Sequence, residues 1–529
     1  MRRSTLRERS MLVGLGLAVT LLVLAPLAAP GYVLSYDMVF VPHQPWRAEL
    51  VAPSDSLPRA VPLDALVSLA SQAVPGWLVQ RLALVAVLLL ATVGAGLLVP
   101  ARHPVTRPVA AVGYAWTPYL AERLLIGHWG LLLAYAALPW LVLAAIRLRT
   151  GARRALPLLV LAAALAAVTP TGGLIALAGT VVLVPRRGGG RVGAIAVAVV
   201  LLLNAPWLVA AALTRADART DPDGVAAFAA RAENWSGALG ALAGTGGIWN
   251  AQTTPASRSS PLAPVATAVV LALAVLGYRA LRRRWPDGVL DRLVVLAAGG
   301  FLLAALGVLP GLGASLEWLV ATVPGAGVLR DGQKFLVPYA LLVAVGFALG
   351  AERLAGAAAR AGRAGAGAVL AGALVLPVVV LPDLAFGAAG RLRPVAYPAD
   401  WDAVAARLDG QPGEVLSLPL GSYRAYPWNG GRTALDPLPR YVDADVLVDD
   451  TLWVGTSEVS GENPRVAHVR RVLDAAAPVR DTGVRWVVVQ RVAGGQRMDP
   501  AALVGLREVY AGEDLTLYEN PAARGAGAR

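Results

Sequence analysis

Met11-Leu-Val-Gly-Leu-Gly-Leu-Ala-Val-Thr-Leu-Leu-Val-Leu-Ala-Pro-Leu-Ala-Ala29 carries no charge, and Gly31-Tyr-Val-Leu-Ser-Tyr-Asp-Met-Val-Phe-Val-Pro-His-Gln-Pro-Trp46 follows it almost directly. The first stretch, about 19 residues, is long enough to span a hydrocarbon core. Four arginines precede it between Met1 and Arg9. Ala-Ala-Pro is a poor cleavage site, so the stretch reads as an uncleaved first helix with a cytoplasmic N-terminus. The second stretch holds Asp37, the first carboxylate after the membrane begins. A carboxylate at the mouth of a membrane bundle either solvates a helix end or reacts.

Working outward, the apolar pattern repeats. Further runs lie near 79–99, 106–121, 129–146, 155–168, 172–185, 192–213, 263–281, 289–308, 334–350 and 366–385. The chain is 57% hydrophobic and only 15% charged, with a mean hydropathy of +0.60. A soluble protein carries roughly a quarter charged residues, so this is a polytopic α-helical membrane protein. The net charge of +13 does not indicate nucleic acid, because the arginines cluster at the ends of apolar runs. The clusters are Arg102 and Arg107; Arg147, Arg149, Arg153 and Arg154; Arg186, Arg187 and Arg191; Arg282, Arg283 and Arg284; and Arg353, Arg360 and Arg363. All fall on the cytoplasmic side if there are about 11 transmembrane helices, which leaves the C-terminal region outside. Runs 155–168 and 172–185 are each about 14 residues, roughly 21 Å as helix against a core of about 30 Å. They form either two short spans or a re-entrant hairpin.

The membrane domain thus covers 1–385, with outer loops at 30–78, 214–262 and 309–333. Residues 386–520 read as a small extracytoplasmic domain, α/β or α+β: strand-like runs at 413–419, 484–490 and 515–519, helical spacing at 401–408 and 464–477. A disordered tail, 521–529, follows. There is no cysteine, hence no disulfide framework and no thiolate metal site.

Three outer clusters could carry chemistry. Asp37 sits among Tyr36, Phe40, Pro42, His43, Pro45 and Trp46, which would seat and stiffen the loop; a half-dry setting would raise its basicity. Tyr119-Leu-Ala-Glu-Arg-Leu-Leu-Ile-Gly-His-Trp129 brings Glu122, Arg123 and His128 close to hydrocarbon, where ionisable groups are costly. They suit an anionic head group, or an internal Glu–Arg brace. Leu329-Arg-Asp-Gly-Gln-Lys-Phe335 places Arg330 and Lys334, the sole lysine, on the outer side against the positive-inside trend. Such cations suit a departing phosphate; the plainer reading is an ion pair with Asp331. Asp221-Pro-Asp223 is a weak metal signal and leaves room for a divalent ion. In the outer domain, Tyr426, Trp428 and Trp453 beside polar groups suit a sugar, or simply the domain's own core. No Walker loop, Rossmann fingerprint or nucleophile elbow occurs.

The cytoplasmic N-terminus, single helix and outer loop opening on a membrane-proximal Asp resemble the GT-C superfamily of polyprenyl-phosphate-sugar-dependent glycosyltransferases. More narrowly, Tyr32 to Trp46, 122–129, Ala136-Ala-Leu-Pro-Trp140 and Arg330-Asp-Gly-Gln-Lys-Phe335 resemble the membrane part of actinobacterial arabinofuranosyltransferases. Those enzymes take arabinose from decaprenyl-phosphoarabinose to build cell-wall arabinan. The resemblance implies a plasma-membrane enzyme with a lipid-linked sugar donor and an envelope glycan or lipid acceptor on the outer face. It implies inversion, with Asp37 as general base. Arg123, His128, Arg330 and Lys334 are then expected on the donor phosphate, with Glu122 and His43 supporting. Two departures touch the sugar and the acceptor: Asp37 lacks the neighbouring acid of many members, and only about 140 residues lie outside as a domain. A non-catalytic scaffold of envelope assembly, or a lipid or glycan transporter, are the alternatives.

Overall fold

A computed structural model describes residues 5–525 except 54–55, 186–189, 215–219, 361, 455–456, 462 and 495–498. Arg186, Arg187 and the last four residues of the expected tail lie outside that set. Helices cover every apolar run. Leu6–Leu24 begins with a capping box, Thr5 and Glu8 each bonding the other's backbone N–H. It packs on Gly76–Leu98, which in turn packs on Trp129–Arg149, and that helix also contacts Leu156–Ala166 and Pro170–Leu183. Two more starts use a Thr-Pro pair, Thr117-Pro118 and Thr169-Pro170, whose threonine hydroxyls accept from the N–H two residues past the proline. Threonine satisfies a free N–H there and proline tolerates the first turn.

Among the described residues seven helices are long and apolar enough to cross a membrane, or up to eight if the pair Gly190–Leu203 and Ala205–Leu213, bent by 48°, is one span. The other expected crossings are shorter. The 106–121 run splits into Thr106–Ala115 and Pro118–Leu125, because the residue before a proline is disfavoured in helix. The 155–185 region is a helical pair. Its Thr169 turn lies against Gly130 at one end of the Trp129–Arg149 helix, while Pro185 O accepts from Arg149 at the other. Leu262–Arg284 and Val337–Ala358 approach closely through Gly277, Gly346 and Gly350, where added side chains would strike the facing backbone. Small residues permit that contact in membrane helices.

The bundle has two chemically distinct ends. At one, Arg284 pairs with Glu352 at 2.7 Å, and Glu352 accepts from the backbone of Arg102 and His103. Glu8 and Arg107 approach to 3.8 Å, so the N-terminal segment shares the arginine end. At the other end lie Asp37 and the C-terminal unit. There, five strands form one mixed sheet in the order β10 (Arg507–Ala511), β11 (Leu515–Glu519), β9 (Trp486–Gln490), β3 (Val415–Leu418), β6 (Val446–Leu447), with β3 parallel to β6 and β9. Period-two alternation sends Val415, Trp486 and Val488 to one face, against Trp401, Val404 and Leu408 of a helix. Leu416, Leu418 and Val487 go to the other, against Val466 and Val469 of a second helix. Helices on both faces make the unit α/β. Hairpins β4 (Tyr423–Ala425) with β5 (Thr433–Leu435), and β7 (Leu452–Val454) with β8 (Ser457–Val459), project from it. Residues 521–525 form a short turn.

Candidate functional site

Asp37 stands at the tip of a two-residue turn. Ser35 and Met38 exchange backbone hydrogen bonds of 3.2 and 2.9 Å, and Tyr36 takes φ +45°. The preceding strand β1 (Tyr32–Val33) pairs with β2 (Pro394–Val395). The turn is pinned to the 122–128 segment: Asp37 N–H donates to Ile126 O at 3.1 Å, and Ser35 Oγ donates to Leu125 O at 2.6 Å. Gly127, at φ +83°, permits this approach. A Cβ there would overlap the Met38 backbone nitrogen and the Ser35 carbonyl.

The carboxylate has a donor on each oxygen. His128 Nε2 lies 2.8 Å from Oδ2, and the Tyr423 hydroxyl, from the C-terminal unit, donates to Oδ1. His128 Nδ1 lies 2.8 Å from an Arg123 N–H. Arginine only donates, so Nδ1 accepts and the imidazole is neutral with its proton on Nε2, aimed at Asp37. Burial pulls the His128 basicity down, which agrees with that tautomer. For Asp37, burial works to raise the carboxyl. The His128 and Tyr423 bonds and the nearby Lys334 charge outweigh it and hold the group below the usual carboxylate range. The expectation of raised basicity is therefore reversed: two side-chain donors and a cation beat a half-dry setting. About a third of the side chain, 36%, stays exposed, against 13% for His128, so the carboxylate is reachable.

Arg123 is fully enclosed and does not reach toward a ligand. Its guanidinium grips Asp331 with two bonds of 2.8 Å and also bonds Gln333. Asp331 sits well below its ordinary range: burial opposes this, and the Arg123 charge and bonds prevail. Gln333 Nε2 donates to Glu122 at 3.1 Å and to Gly246 O at 3.2 Å. Glu122 lies beside Glu233, which bonds Arg258 at 2.8 Å. Burial and the Glu233 charge push the Glu122 carboxyl well above its ordinary range. Gly246 fits only because it lacks a side chain, since a Cβ would strike both carboxylates.

The expected phosphate ligands thus divide. Lys334 is 28% exposed on its side chain, lies 3.5 Å from Asp331, and acts on both Asp37 and His128. Arg330 lies 4.8 Å above the Phe228 ring. Arg123 and His128 are corrected to a buried brace and an Asp37 partner. Glu122 belongs to the brace, whereas His43 Nδ1 lies 2.8 Å from Ser71 O and ties together the two sides of the 30–78 loop. Tyr426 is 1% exposed and stacks on Trp428 at 4.9 Å, inside an aromatic core with Tyr397, Trp401 and Tyr441. Its ring face is not open to a sugar, because the domain needs it for packing. Trp428 is partly buried in the same cluster, and Trp453 is 66% exposed. Tyr423, Gln333 and Glu233 carry roles that the sequence reading did not assign. Nothing local marks Tyr423, which is separated by 386 residues from its partner. Among the described residues no group of three or more His, Asp or Glu is arranged to hold a metal. Arg258 also lines a largely apolar cavity, with Trp116, Val270, Val343, Phe347 and Val380 among its walls.

No protein-family model matches the chain, and no curated protein matches it in sequence. Solved structures do match. The cryo-EM structure of arabinofuranosyltransferase AftD from Mycobacteria covers 98% of this chain with a TM-score of 0.57 at 18% identity. The chain shares its fold with a mycobacterial arabinofuranosyltransferase. Two structures of an AftD mutant agree, with TM-scores of 0.59 and 0.54 at 16% and 19% identity over 98% and 97% of the chain. The chain spans 40%, 42% and 41% of those proteins respectively.

Proposed function

We propose that the protein is an inverting glycosyltransferase of GT-C type, which moves a sugar from a polyprenyl-phosphate donor to an envelope glycan or lipid acceptor. The observation that carries this is one partly exposed carboxylate, Asp37, held ionised by His128 and Tyr423 with Lys334 beside it, at the end opposite Arg284 and Glu352 in a bundle with the AftD fold. The acceptor hydroxyl oxygen attacks the anomeric carbon. The bond from that carbon to the phosphate oxygen breaks, its electron pair stays on the phosphate, and the hydroxyl proton passes to Asp37. Each oxygen of Asp37 accepts one bond here and has capacity for another.

A carboxylate of low basicity fits a transition state in which the donor bond is largely broken. Bonding to carbon then acidifies the hydroxyl before its proton leaves. Lys334 is the cation placed to meet the charge growing on the phosphate. Arg330 lies further along the same segment, and Arg123 keeps that segment registered against His128. Arabinofuranose is the donor sugar this reading favours, on the fold likeness, and the outer face of the plasma membrane is its site.

A transporter would place its ionisable side chains at mid-membrane; here they gather at the two ends of the bundle. Membranes containing the protein, given radiolabelled polyprenyl-phospho-sugars one at a time, should pass label from one of them to a glycan or glycolipid. No transfer from any donor would leave the scaffold reading.

A further inference from the structure

The C-terminal unit does more than sit above the bundle. β4 and β5 clamp the Asp37 turn edge-on. Tyr36 N–H donates to Thr433 O at 2.9 Å, Leu435 N–H donates to Tyr36 O at 2.8 Å, and Tyr36 bridges Ala434 in parallel. Asn429 Nδ2 adds a bond of 3.3 Å to Leu34 O. Along β4 successive side chains point to opposite faces. Arg424 turns into the unit, where it is 4% exposed and lies 3.1 Å from Asp436, with Ser417 2.8 Å from its guanidinium. Tyr423, one residue earlier, turns the other way and reaches Asp37 Oδ1. Arg424 therefore anchors the strand that presents Tyr423. Val41, four residues past Asp37, is buried in the unit's own core, and Tyr397 Oη donates to Phe40 O at 2.9 Å.

We propose that the C-terminal unit completes the reacting centre: Tyr423 is a positioning residue that fixes the Asp37 carboxylate through its bond to Oδ1, so membrane bundle and C-terminal unit together form one site. This rests on Asp37 being the base. The Tyr423 hydroxyl occupies one lone pair of Oδ1 as His128 occupies one of Oδ2, which fixes the plane of the carboxylate and leaves each oxygen capacity for the acceptor hydroxyl. Without that hydroxyl the carboxylate keeps its place in the chain, yet becomes more basic and free to turn.

The test uses the full chain in nanodiscs and two readouts. With only four histidines in the sequence, ¹⁵N-histidine labelling follows the titration of His128, which is coupled to that of Asp37. Tyr423→Phe should move the acid midpoint of this pair upward by about one pH unit. Incorporating 3,5-difluorotyrosine, a stronger donor of nearly the same shape, should move it downward. In an Asp37→Asn background neither change should shift His128. With decaprenyl-phosphoarabinose, or whichever panel donor transfers, Tyr423→Phe should lower turnover several-fold and leave the donor KM within about two-fold. If Tyr423→Phe fails to fold, the fluorinated protein alone decides. An unmoved midpoint, or an equal shift in the Asp37→Asn background, overturns the proposal. Full turnover by Asp37→Asn would instead sink the reading of Asp37 as base, which keeps the two failures distinct.

Discussion

Asp37 is a carboxylate whose basicity has been traded for permanence. Two hydrogen bonds and a nearby ammonium keep it ionised, and the sign of its pH dependence follows. A group held below its ordinary value is ready above that value and fails only as pH falls through the lowered one. Turnover should therefore be flat in Asp37 from about pH 5 to 8, with an acid limb below the usual carboxylate range; initial rates across pH 3–8 check this, and a limb near neutrality would contradict it. Lys334→Ala removes a charge-assisted contact worth roughly 1.5–3 kcal/mol. A donor titration should show affinity lower by about one to two decades if the contact exists in the ground state, and turnover lower too if it tightens as phosphate departs. Asp37 was legible because it is the first carboxylate after the first span. Its setting was not, since Tyr423 and the Arg123–Asp331 grip are long-range contacts. Those contacts also turned Arg123 from expected ligand into brace: a guanidinium fully buried on a carboxylate has no face left for a phosphate.

At the scale of elements, the turn carrying Asp37 and the 122–128 turn interlock through one glycine. Gly127→Ala meets both left-handed strain, about 1–2 kcal/mol, and overlap with the backbone of Ser35 and Met38. Gly151 is the control, since it has φ +93° with open space around it. Thermal unfolding in detergent should fall clearly further for Gly127→Ala than for Gly151→Ala, with loss of transfer; equal shifts would mean that the turns do not touch. Helix starts were partly readable here. Thr-Pro at 117–118 splits what hydropathy alone reads as one run, whereas Pro139 and Pro377 sit inside continuous helices, so it is the threonine cap with the proline that marks the break. Tyr426 and Trp428 show the opposite limit: aromatics beside polar residues look alike in sequence whether they floor a sugar site or, as here, fill a core.

Over the whole molecule, the arginine loops were the most legible feature, because charge at span ends reports side rather than packing. Arg284, Glu352 and the 102–103 backbone converge at one end, with Asp37 and the C-terminal unit at the other. Alkaline phosphatase fused after Pro398 should be active and one fused after Arg284 silent; the reverse would put Asp37 in the cytoplasm. The α/β unit was readable as strands and helices, but not as a partner of the membrane site, since β4 and β5 are three-residue strands that leave no periodic signal. The central claim, a transfer reaction run from Asp37, is tested most directly by Asp37→Asn. Asparagine keeps the shape and cannot take the proton. In single-turnover transfer from a polyprenyl-phospho-sugar, with insertion verified and donor binding measured in parallel, the rate should fall by about 10²–10⁴-fold while donor affinity holds. A correctly inserted Asp37→Asn protein that transfers sugar at the wild-type rate would contradict the account.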